Sequence, residues 1–148
     1  MDKHIKIAAL YVASLKGMSL IHQQNHWLSK GDAFYSSHLL FERIYNSALE
    51  NLDLAAEKFV GLFGDQVLNY DLQIDLLHKV LSKYKNLEGS PAQMSLAIEK
   101  EFITFAQEAY KSFEDDEKLT LGLDDSLCLI SSKREEAIYL LQQTLDQD

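Results

Sequence analysis

Two uninterrupted stretches of helical periodicity constrain this chain more than any other feature. From about Lys3 to Ser29, the residues Ile5, Ala8, Val12, Leu15, Ser19, His22 and His26 recur at alternating steps of three and four. From about Ala33 to Phe63, Phe34, Phe41, Tyr45, Ala48, Leu52, Ala55, Phe59 and Phe63 form a second stripe. Each segment is about twice the mean helix length of globular proteins, which points to a bundle of long helices.

The remainder fits that reading. Asp65 to Gly89 forms a long crossover, in which Leu72, Leu76, Val80, Leu81 and Tyr84 predict a short amphipathic helix. Ser90-Pro91-Ala92-Gln93 spells a helix start, with serine as the cap, proline in the first turn and glutamine closing a capping box. Ile98, Phe102, Phe105, Ala109 and Phe113 continue the stripe until the acids Glu114-Asp115-Asp116-Glu117, which oppose the helix dipole at a C-terminus. A last helix is expected from Asp124 or Asp125, carrying Leu127, Ile130, Ile138, Leu141 and Leu145. Four long helices with one long connection in the middle is the ferritin-like arrangement. The expected fold class is therefore all-α, a ferritin-like four-helix bundle forming a single domain over residues 1–148, with a short helix between helices 2 and 3.

Composition removes several function classes. Acids outnumber Lys and Arg by 23 to 14, giving a formal charge of −9, and no basic cluster offsets it, so nucleic acid is not an expected partner. One cysteine, Cys128, excludes an internal disulfide framework and a cysteine-based zinc finger. The expected compartment is reducing and cytoplasmic. Cys128 is flanked by Leu127 and Leu129 and reads as buried and inert. No apolar run approaches membrane-spanning length, and the N-terminus lacks the features of a signal peptide. There is no phosphate-binding glycine loop, no G-x-S-x-G and no usable Cys/His pair. His4 and His78 read as surface residues, and Trp27 as a packing residue that walls off a neighbouring site.

Helical geometry gathers one set of polar side chains. With His38 at zero and about 100° per residue, Glu42 falls near 40°, Asp53 near 60° and Glu57 near 100°. One histidine and three carboxylates thus flank the apolar stripe. Each acid alone reads as an ordinary solvated side chain. Asp53 and Glu57 are neighbours on the helix, however, and repel unless a cation lies between them. Imidazole with carboxylate suits Fe, Mn or Zn. Glu42 and Asp53 stand about 16 Å apart along a straight helix, so one metal cannot take both from one chain. A second, antiparallel copy across a two-fold axis could bring them together.

The residues Asn25-His26-Trp27, Gly31, Phe34, His38, Phe41, Glu42, Tyr45 and Asp53-Leu54-Ala55-Ala56-Glu57 resemble the Dps-type miniferritins, whose pattern is H-W-x3-G-x2-F-x3-H-x2-F-[DE]-x2-Y followed by D-x2-A-E. The resemblance is specific over residues 22–61; elsewhere only helix order and length agree. It implies a hollow dodecamer with two-fold shared sites that oxidises Fe(II), usually with hydrogen peroxide, stores ferric mineral and so protects against oxidative damage. It implies iron ligation by His26 and His38 of one subunit, with Glu42 beside them, and by Asp53 and Glu57 of its partner. The same five residues are the expected catalytic set.

Several departures narrow the expectation. Glu42 stands where aspartate is common, and Lys58 where arginine usually follows the D-x3-E pair. No lysine-rich tail precedes the first helix, and the chain ends Asp146-Gln147-Asp148, so the family's DNA association is not expected here. Ser132-Lys133-Arg134-Glu135-Glu136 occupies the place of a Glu-x-x-His motif, so no di-iron site within the bundle is expected. The alternative function is a non-catalytic helical cage or interaction module with a vestigial site.

Overall fold

A computed structural model describes residues 1–146. The acidic end expected at Asp146-Gln147-Asp148 falls partly outside this range, since Gln147 and Asp148 are not among the described residues. The helices are α1 (Lys3–Leu28), α2 (Phe34–Phe63), α3 (Tyr70–Ser82), α4 (Pro91–Asp115) and α5 (Leu121–Leu145). A single 3₁₀ turn, Asp65–Leu68, precedes α3.

α1 packs along α2, and α4 along α5; α1 also contacts α4, and α2 contacts α5. These four form the ferritin-like bundle, and α3 lies across α1 within the crossover. The core is built from the stripes, with Tyr11 set edge-on to Phe59 and Phe102 at ring separations of 5.4 and 5.0 Å. Burial of such aromatic side chains dominates the stability of a bundle of this size.

Two contacts seat the crossover. The buried Gln73 amide donates to the carbonyls of Ala9 and Val67, and its oxygen accepts from Lys16. At Gly17, a Cβ would meet Val80 Cγ1 at 2.8 Å, so glycine lets α3 approach α1.

The helix ends follow local chemistry. Ser90 and Gln93 form the expected capping box, with Pro91 in the first turn of α4. α4 ends with the Lys118 amide bonded to the Phe113 carbonyl, and Glu117 takes a left-handed φ of 59°, a conformation glycine more often supplies.

Three expectations are corrected. α5 begins three residues before Asp124, because the Thr120 hydroxyl accepts from the Leu123 amide and caps the helix there. Cys128 is exposed rather than buried, since its helical position turns it away from the stripe that Leu127 and Ile130 share. His4 is largely covered rather than on the surface, stacked near Phe63 and Phe113 and held between Asp2 and Asp116. In addition, α1 is long and apolar enough to cross a membrane by length and composition, although 56% of that stretch is buried within the bundle.

Candidate metal centre

The turn between α1 and α2 brings His26 and His38 together. Gly31, at a φ of 90°, helps reverse the chain after Ser29. The two imidazoles stack at 3.6 Å between ring centres. His26 Nδ1 lies 2.6 Å from the His38 carbonyl, and His38 Nδ1 lies 2.8 Å from the His26 carbonyl. A carbonyl can only accept, so each Nδ1 carries a hydrogen. In the neutral ring this leaves the Nε2 lone pair available, the usual arrangement behind a metal-ligating histidine. Tyr45 meets His26 edge-on and Phe34 stacks on His38, fixing both ring planes.

His26 is buried and His38 half-buried; Glu42, one turn beyond His38, is also half-buried. Asp53 and Glu57 lie farther along α2 and are exposed. The expected residues thus fall into two groups on one chain, His26, His38 and Glu42 toward one end of α2 and Asp53 and Glu57 toward the other. Among the described residues, no three His, Cys, Asp or Glu side chains converge to hold a metal ion.

The carboxylate half borders a groove of about 460 Å³, lined by residues that include Val12, Lys16, Leu49, Asp53, Leu68 and Tyr70. Leu49, Leu68 and Tyr70 are exposed, Tyr70 to 85%. Trp27 is also exposed, to 65%, and so does not pack within its own chain as expected.

The acidic corner at the end of α4 is more differentiated than the sequence implies. Glu114, Asp115, Asp116 and Glu117 are exposed. Lys3 and His4 hydrogen-bond Asp116, and His4, the largest cause, holds its carboxyl below the ordinary value. Asp125 is exposed, whereas Asp124 is half-buried and accepts from Tyr110 Oη at 3.0 Å and Cys128 Sγ at 3.3 Å. The Asp124 hydrogen bond pushes the thiol's pKa up, which keeps Cys128 protonated despite its exposure.

A second polar cluster lies inside the bundle, and neither Glu99 nor Arg134 stood out in the sequence. His22, Glu99 and Arg134 are each 0% exposed. His22 Nε2 donates to Glu99 Oε1 at 3.0 Å, and His22 Nδ1 lies 2.9 Å from Ser95 Oγ. Ser95 also accepts from Asn25. The available signal was periodicity: Leu123, Leu127, Ile130, Arg134, Ala137 and Leu141 are the buried steps of α5, and arginine occupies one of them.

No protein-family model matches the sequence, and no curated protein matches it either. Solved structures do match in three dimensions. Dps from Thermosynechococcus elongatus aligns with a TM-score of 0.82 at 18% identity, covering 99% of this chain and 92% of that one. The chain has the Dps fold. A Dps structure from Microbacterium arborescens, in its high iron form, aligns with a TM-score of 0.78 at 16% identity over 99% of this chain and 98% of that one. The Dps likeness therefore covers all four long helices and the crossover, beyond the stretch in which the sequence carries the motif.

Proposed function

We propose that this chain binds Fe(II) at sites shared between two copies, oxidises it, and sequesters the ferric product inside a hollow homo-oligomeric cage, a dodecamer in the miniferritin pattern. The observation that carries this reading is the division of the donors. His26 and His38 are held by each other's carbonyls with the Nε2 positions left for a ligand. The carboxylates that complete an iron site lie too far along the same helix to serve it in one chain. A two-fold axis perpendicular to α2 would bring the distal half of one copy against the proximal half of the other. The exposed apolar side chains beside Asp53 suit burial by that second copy.

In this reading iron is substrate. His26 with the partner copy's Asp53 and Glu57 takes the first Fe(II), and His38 and Glu42 assist a second, weaker position or orient water. Hard carboxylate oxygens favour Fe(III) over Fe(II), which makes electron loss easier, and the bound cation relieves repulsion between Asp53 and Glu57. With hydrogen peroxide, two Fe(II) each lose one electron, and the peroxide takes two electrons and two protons to leave as two waters. The exposed acids Glu114, Asp115 and Asp125 raise the local concentration of Fe(II) at the cage wall.

The test is Fe(II) with peroxide, followed by ferric absorbance, alongside light scattering of the purified protein. Fast, saturable oxidation, soluble product and a particle many chains in mass support the proposal. Background oxidation with precipitate favours the non-catalytic cage, and a monomer contradicts both.

A further inference from the structure

The interior cluster around Arg134 is built from atoms that donate electron pairs to a cation. The guanidinium donates to Ser47 Oγ at 2.8 Å and to Met18 Sδ at 3.2 Å, and it lies 3.6 Å from Glu99 Oε1. Glu99 in turn holds His22, whose imidazole has a nitrogen aimed at the same carboxylate. A sulfur from α1, a hydroxyl from α2 and a carboxylate from α4, with an imidazole behind it, therefore surround one buried positive charge carried by α5.

The pairing is imperfect for a purely structural salt bridge. Among the described residues, Glu99 Oε2 and Arg134 Nε are buried without a hydrogen-bond partner, and Glu99 and Arg134 make no direct hydrogen bond. A buried ion pair that stabilises a fold usually satisfies both groups completely. Without the guanidinium, the buried Glu99 carboxylate would have to take up a proton or another cation to stay in the interior. In ferritin-like carboxylate proteins the bundle centre is where facing helices hold metal. Here the position is filled by a cation tethered to α5.

We propose that Arg134 is the resident cation of the bundle centre, closing a latent divalent-metal site formed by His22 and Glu99. Arg134 is thus a specificity residue: it denies the interior to metal while the interface donors remain open. The assignment rests on the interior geometry alone and stands or falls separately from the shared iron site.

The experiment uses Co(II) as the probe and its visible absorption as the readout. The starting chain carries His26→Ala, His38→Ala, Glu42→Gln, Asp53→Asn and Glu57→Gln, so that interface donors contribute nothing. That chain should show no coordinated cobalt. Adding Arg134→Met should create one cobalt site per chain, and adding His22→Phe as well should abolish it. Circular dichroism checks folding first; if Arg134→Met does not fold, Arg134→Gln, which can still reach Ser47, takes its place. Arg134→Lys keeps a tethered cation and should bind no cobalt. No cobalt in the folded Arg134→Met or Arg134→Gln chain overturns the proposal. So does cobalt in the Arg134→Lys chain, or His22-dependent cobalt in the starting chain.

Discussion

His26 and His38 lock each other: each Nδ1 donates to the other's backbone carbonyl, at 2.6 and 2.8 Å, across the turn that joins α1 to α2. Neither ring can rotate without breaking a bond that also fixes its tautomer. The two side chains therefore act as a unit, although twelve residues separate them.

That coupling sets the first expected outcome. His26→Ala removes a proposed ligand and should nearly abolish Co(II) or Fe(II) binding. His38→Ala removes the bond to the His26 carbonyl and the stacked ring, and should weaken binding by about 10–100-fold, the usual effect of losing a group that orients a ligand. Isothermal titration with each variant checks this. Equal, negligible effects would show that the histidine pair is only a structural turn.

Asp124 and Asp125 should separate in their effects. Asp124→Asn removes the carboxylate whose hydrogen bond holds up the Cys128 thiol, so alkylation by iodoacetamide near neutral pH should become faster. Asp125→Asn removes an exposed charge and should instead slow iron uptake at low salt, with little change in thiol reactivity. An unchanged alkylation rate in Asp124→Asn would remove the assigned link to the thiol.

The contact between Lys83 and Glu101 should show a defined pH signature. Hydrogen bonds from Lys83, then from Tyr84, hold the Glu101 carboxyl below its ordinary value of 4.5. A lowered carboxyl pKa stabilises the fold fully above the ordinary value and loses that effect as pH falls through the lowered one. Lys83→Met should therefore cost about 0.2–1 kcal/mol at neutral pH, as exposed pairs do. The difference in melting temperature from the parent should hold constant above the ordinary carboxyl range and close only as the pH falls through the lowered Glu101 value. A gap that persists in acid would assign the effect to packing of the lysine stem.

Binding to DNA should be weak or absent. The formal charge is −9, and of the basic residues near the N-terminus Lys3 is engaged by Asp116. Phosphate neutralisation dominates non-specific affinity, and twelve copies of Lys6 give only weak avidity in a dodecamer. A gel shift with plasmid at low salt and neutral pH should leave the DNA unretarded; retention would contradict this.

The long helices were legible because their stripes repeat over many turns, and the start of α4 because its capping box is local chemistry. The start of α5 was misplaced because Asp124 and Asp125 look like caps, whereas Thr120 supplies the hydroxyl that bonds the Leu123 amide. Spacing on α2 alone singles out His38, Glu42, Asp53 and Glu57 as candidates, whereas His26 joins them only through the motif that resembles the Dps-type miniferritins. Arg134 was hidden by its polar neighbours, even though it falls on a buried step of α5. Its partners Glu99 and His22 depend on the register of α1 against α4, which tertiary packing sets and no single segment encodes. Cys128 shows the converse: its apolar neighbours suggested burial, but the helix turns its thiol toward Asp124 at the surface.

The central claim is that two copies complete each iron site. The most direct measurement mixes one variant carrying His26→Ala with another carrying Asp53→Ala and Glu57→Ala, after each has been shown to fold and assemble. Alone, each should oxidise Fe(II) at close to the background rate. In a mixed pair across a two-fold axis, one site collects every lesion while the other receives His26 from one chain and Asp53 and Glu57 from its partner. Random one-to-one reassembly from dissociated chains should restore about a quarter of all sites, read as the rate of peroxide-driven ferric absorbance. Activity no greater than the sum of the separate variants would mean that the ligands do not meet across subunits, and would contradict the account.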